Sequence, residues 1–109
     1  MPTLGFLTTM QARPGKSADV AEFLTKTAKP LADKEPGTLL WFAFQGGPSY
    51  FGVFDIFADE DARQDHLYGE VRQALDEHSE ELFSEAPVID TLTMLASKLP
   101  EQWQWPDHT

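Results

Sequence analysis

Cysteine is absent from this chain, which removes disulfide frameworks, thiol nucleophiles and thiolate metal sites together. Basic side chains are scarce: 8 Lys and Arg stand against 18 Asp and Glu, a formal net charge of -10. Nucleic acid calls for a clustered positive face, and Lys26, Lys29 and Lys34 on one helix are the nearest thing to a group. No apolar run approaches the roughly 20 residues of a membrane-spanning helix. Met1-Pro2-Thr3 leads into strand-like sequence without a basic signal region, so a cytoplasmic setting is expected. Fixed-period repeats and low-complexity tracts are missing too. The acidic excess falls mostly in residues 59–85, alternating with apolar positions, and reads as a solvated helix face.

What the 109 residues do contain is the material of one domain with a single core. Its centre is a pair of dense apolar runs, Thr38–Gln45 and Tyr50–Phe57, separated by Gly46-Gly47-Pro48-Ser49. Strand formers on both sides of a short turn-rich loop predict a β-hairpin. A four-residue loop puts Gln45 opposite Tyr50 and Trp41 opposite Phe54. One face then carries Leu40, Phe42, Phe44, Phe51 and Val53, with Asp55 at its end. The other carries Leu39, Trp41, Ala43, Tyr50, Gly52, Phe54 and Ile56. Both faces are apolar, so both are expected to be covered. Helices of the same chain can cover one, and a second copy of the sheet is the economical cover for the other.

On either side the same grammar recurs. Residues 4–12 read as a strand with Leu4, Phe6, Thr8, Met10 and Ala12 on one face. After Arg13-Pro14-Gly15-Lys16, Ser17 is placed as an N-cap, and Val20, Phe23, Leu24, Thr27 and Leu31 form a helical stripe. Pro30 inside that stripe predicts a kink or a split last turn. Asp59 caps a second helix, Gly69 interrupts it, and Val71, Ala74, Leu75, His78 and Leu82 continue it. Residues 88–98 make a last strand, long enough to overhang a small sheet. The expected fold is α+β, a ferredoxin-like β-α-β-β-α-β with a four-stranded antiparallel sheet and helices on one face. That domain spans residues 1–100. In the tail, 101–109, Trp103 and Trp105 are spaced to dock one side of an extended segment on the domain or a partner subunit, and Pro106 ends the contact.

Glu35-Pro36-Gly37-Thr38, the strand Tyr50–Phe57 running into Ala58-Asp59-Glu60-Asp61-Ala62, and His66-Leu67 resemble, in this order and spacing, the antibiotic biosynthesis monooxygenase family. The resemblance covers residues 4–99 and implies a dimeric α+β barrel, in which two sheets pack face to face in a homodimer. It also implies a cofactor-independent monooxygenase that oxidises a quinol-like or other aromatic small molecule with dioxygen, often with no metal or flavin. A shared fold is not a shared reaction. The alternative is a non-catalytic homodimer of the same fold that binds a small molecule or serves a structural role.

His66 stands where the family commonly places a histidine near its pocket. A neutral imidazole there can take a phenolic proton; equally, a half-buried structural histidine can bond a backbone carbonyl. Tyr50 can offer its hydroxyl to a substrate oxygen. Trp41, Phe54, Ala43 and Gly52 share its face in the register above and suggest a hollow for a flat ring, or else ordinary core with a close backbone approach at Gly52. His78 either lines that cavity or is a satisfied core histidine. Tyr68 and Arg72 flank the helix interruption and could bind a polar substrate end or sit on the surface. His66 with Glu70, and His78 with Glu81, have ligand-like spacing, but no third ligand converges, so neither metal nor haem is expected.

Overall fold

The computed structural model describes residues 2–103 and 105. Four strands, β1 (Leu4–Gln11), β2 (Thr38–Gln45), β3 (Tyr50–Phe57) and β4 (Val88–Thr93), form one antiparallel sheet in the order β2-β3-β1-β4. The first helical segment runs through α1 (Ser17–Glu22), a π-helical stretch Phe23–Ala28 and α2 (Lys29–Asp33). The second consists of α3 (Glu60–Leu67) and α4 (Glu70–Leu82). This is the expected ferredoxin-like α+β fold, with the sheet's central pair β3 and β1 carrying the helices on one face.

Pro30 acts one turn upstream of its own position. It has no N–H for the Lys26 carbonyl and its ring crowds that turn, and Phe23–Ala28 widen into a π-helix. Val20, Phe23, Leu24 and Ala28 nonetheless bury one continuous stripe. They meet Met10, Phe51 and Val53 of the sheet, Ala74, Leu75 and Leu82 of α4, and Phe83 just beyond it. Ser17 does not cap α1. It is the first helical residue, and its hydroxyl donates to the Pro48 carbonyl at 2.6 Å, tying the hairpin loop to the helix start.

The hairpin register differs from the expected one by a single residue. Gly46 stays in the ladder, donating its N–H to the Tyr50 carbonyl at 2.9 Å, and Gln45 pairs with Phe51. Three residues rather than four make the turn. Glycine permits this because the Tyr50 ring lies where a Gly46 side chain would stand. An odd loop turns β3 over relative to β2, so Trp41 pairs with Asp55, Phe42 with Phe54 and Phe44 with Gly52. The face under the helices therefore holds Phe6, Met10, Trp41, Phe51, Val53, Asp55 and Phe57. The opposite face holds Leu7, Leu40, Phe42, Phe44, Gly52, Phe54 and Leu92. Phe42 is 54% exposed and Val88 51%, so no helix or strand among the described residues covers that face.

β4 ends at Thr93, short of the expected 98, since β1 offers no partner beyond Leu4. Met94 still donates its N–H to the Thr3 carbonyl at 2.6 Å. Residues 95–98 run on past the sheet, with Leu95 92% exposed. Trp103 and Trp105 pack edge to face with ring centres 4.8 Å apart. The expected end of that contact at Pro106 lies outside the described residues. No helix among the described residues is long and apolar enough to cross a membrane.

Candidate active site

Three segments converge on His66. The first is α3, which starts at Asp59: its Oδ1 accepts the Ala62 N–H at 2.8 Å, and Glu60 and Asp61 fill a first turn that favours negative charge. His66 sits in the last turn, where a positive charge is favoured. The second segment is the tight link 34–37 between α2 and β2. Gly37 rests against Ala62, so close that a side chain on Gly37 would collide with it, and the Gly37 carbonyl accepts the Ala58 N–H at 2.9 Å. This fixes Glu35 beside the histidine. The third is β3, whose Asp55 points under the helices by virtue of the odd hairpin loop.

The imidazole is gripped at both nitrogens. Nδ1–H donates to Glu35 Oε1 at 2.5 Å and Nε2–H to Asp55 Oδ2 at 3.0 Å. Glu35 Oε1 also accepts the Thr38 hydroxyl at 2.9 Å. The ring lies among Phe57 and Phe6, with centroids 5.0 and 6.4 Å away. Burial pulls the His66 pKa down, but the hydrogen bonds and charges of Asp55 and Glu35 outweigh it and push it from 6.5 up to about 9. Burial pushes Asp55 above its ordinary 3.8 against the hydrogen bond and charge of His66 and a hydrogen bond from the Phe6 backbone, and the neighbouring Glu35 charge adds to the rise.

These groups open onto a cavity of about 40 Å³ between helices and sheet. Phe6, Met10, Phe23, Leu24, Val53 and Leu75 give it apolar walls, while Thr8, Trp41, Asp55, His66 and Arg72 supply its polar atoms. Two of those atoms are buried without a hydrogen-bond partner: Trp41 Nε1 and Asp55 Oδ1. They belong to residues directly opposite one another on β2 and β3. A buried donor and a buried acceptor left open cost free energy unless something fills them.

The site predicted from sequence is thus partly assembled and partly scattered. His66 and Trp41 line the cavity, with Arg72 beside them. Tyr50, Gly52 and Phe54 do not, because the odd loop puts them on the opposite face, where the Phe44 ring occupies the space over Gly52. Ala43 shares the Trp41 face but is exposed at the sheet edge, in a separate open hollow with Leu24 and Phe51. His78 bonds the Ala74 carbonyl at 2.9 Å and packs on Phe23, a satisfied helix histidine outside the cavity. Tyr68 is 73% exposed. The neutral-imidazole base must be corrected as well, since both His66 nitrogens are already committed to carboxylates. Sequence reasoning missed Glu35 and Asp55. The available signal was Asp55 itself, a lone charge inside the run Tyr50–Phe57.

Solved structures share this architecture. A candidate antibiotic biosynthesis monooxygenase from Caulobacter crescentus superposes with a TM-score of 0.74 at 22% identity, over 87% of this chain and 92% of that one. A Pseudomonas aeruginosa protein also gives 0.74 at 22%, over 88% and 97%. At that identity the shared property is the fold of the antibiotic biosynthesis monooxygenases. A protein of unknown function from Nitrosomonas europaea is 47% identical, with a TM-score of 0.86 over 92% of this chain and 96% of that one, and the chain belongs to its family. No family model and no curated protein matches the chain.

Proposed function

We propose that this protein is an oxygenase of the cofactor-independent kind, in which Asp55 removes a proton from a small organic substrate and the resulting anion reacts with dioxygen. The observation that carries the reading is Asp55 Oδ1: a carboxylate oxygen with no partner, buried in an apolar cavity and held by its other oxygen to an imidazolium. Desolvation makes such a carboxylate a stronger base than in water. His66 is then a positioning residue and a fixed positive charge, oriented by Glu35, and positive charge beside a site where an anion forms lowers the barrier to forming it. For a methylene substrate the balance closes with dioxygen alone. The two C–H hydrogens and one oxygen atom leave as water, and the other oxygen becomes the product carbonyl.

Oxygen uptake measured with a panel of quinols and anthrone-like methylene compounds tests this. The expected result is turnover that falls ~10²–10⁴-fold in Asp55→Asn and falls in the wild type on acidification, as Asp55 takes up a proton. Uptake by Asp55→Asn at the wild-type rate would refute the assignment. The unpartnered apolar sheet face with Phe42 and Phe44 supports a homodimer as the working form.

A second reading has its own support. About 40 Å³ accommodates small species, whereas a cavity that takes up benzene measures about 150 Å³. On that reading the Glu35–His66–Asp55 cluster is a structural clamp in a non-catalytic dimer. No uptake and no bound aromatic ligand at millimolar concentration is its expected signature.

A further inference from the structure

Trp41 Nε1–H is a donor with nothing to donate to, in the same cavity and directly across the ladder from the Asp55 oxygen that has nothing to accept. An empty pocket wall would not pair these two. Side chains directly opposite on an antiparallel pair start from Cβ atoms roughly 4.5–5.5 Å apart, so one compact molecule can meet both. The remaining walls are mostly apolar, with Thr8, His66 and Arg72 the other polar residues, so the molecule that fills this end is compact and largely apolar. Its reactive end must accept one hydrogen bond and, beside it, yield one proton.

We propose that Trp41 is an oxyanion donor and that the site enolises a small neutral carbonyl compound, a step that needs no dioxygen. The carbonyl oxygen accepts the indole N–H, and Asp55 Oδ1 takes the hydrogen from the adjacent carbon. The C–H bond breaks and its electron pair becomes the C=C bond of the enolate. The carbonyl π pair moves onto oxygen, where the Trp41 N–H meets the developing charge. Asp55, now a carboxylic acid, returns a proton to carbon and closes the cycle. The inference takes the Asp55 base from the proposed function but not the oxidation.

The test is solvent exchange under anaerobic conditions. Acetone and hydroxyacetone, small enough for a cavity of about 40 Å³, are incubated with the full-length protein in deuterium oxide, and loss of the α-hydrogen signals is followed by proton NMR. Wild type is expected to exchange them well above the buffer rate, and Asp55→Asn to lose that exchange. Trp41→Phe, which keeps a ring against the same walls, is expected to lower the rate ~10²–10³-fold, the usual effect of removing one oxyanion donor. Independently of turnover, the Trp41 indole N–H resonance in a nitrogen-15 spectrum should shift when acetone is added. Exchange without oxygen uptake by any compound leaves this inference standing and removes the oxygenase reading. Oxygen uptake by quinols with no exchange of either ketone and no indole shift overturns the inference and leaves the oxygenase. Equal exchange by wild type and Trp41→Phe also overturns it.

Discussion

An imidazolium held between two carboxylates ties stability to pH in a definite direction. The folded-state pKa of His66, about 9, lies above its ordinary 6.5. The stabilisation is therefore complete below pH 6.5 and is lost as pH rises through 9. A shift of that size is worth on the order of 3 kcal/mol, tempered by the burial of the pair. Thermal melts between pH 6 and 10 should show the melting temperature falling across that window. His66→Gln should be less stable at pH 6.5 and should flatten the curve; an unchanged curve would show that the clamp contributes nothing. Only His66 of this cluster was singled out from sequence, and as a candidate base rather than as a clamped imidazolium. What sequence reasoning did not supply was either carboxylate, because Glu35 reaches His66 only through the tight link against α3. Asp55 was visible as an odd charge in an apolar strand, but its face depended on whether Gly46 stayed in the ladder.

At the level of elements, the same lesson concerns parity. Strand existence, strand order and the Asp59 cap follow from periodicity and turn chemistry. The pairing of β2 with β3 follows from loop length, and one residue of error exchanges every side chain between faces. Hence Trp41 lines the cavity, while Tyr50, Gly52 and Phe54, grouped with it from sequence, lie on the other side. Gly37 offers a test of how tightly the elements are set. Its Cα lies against Ala62 of α3, so Gly37→Val should force helix and link apart at a cost of about 1–3 kcal/mol. Ala62→Gly in the same chain should recover part of the loss, a coupling measurable by denaturant titration. Additive losses would mean the two do not meet.

For the whole molecule, the open sheet face decides behaviour in solution. Leu40, Phe42, Phe44, Phe54 and Leu92 are too many large apolar side chains for a face left in water. Light scattering at micromolar concentration should give a dimer. Phe42→Glu should shift it to monomer with a lower melting temperature, because a charge in an apolar interface has no partner. A wild-type monomer at that concentration would rule out the sheet face as a tight interface. The face is apolar in either hairpin register, which is why sequence alone could suggest a second copy without saying which side receives it.

The spacing of the His66 clamp bears on how the chain first finds its shape. Glu35 and His66 are 31 residues apart, and Asp55 lies between them, so hairpin, link and α3 close on one another within a single short stretch. β1 and β4 meet only by joining opposite ends of the domain, Leu4 with Thr93. Closing the shorter loop costs less entropy, which favours 35–67 as the region structured in the rate-limiting step. Refolding of His66→Gln should accordingly be slowed by most of its loss in stability, while Ile89→Ala in β4 should chiefly hasten unfolding. Stopped-flow chevrons of the two variants would separate them, and the reverse pattern would place the nucleus at the joined termini.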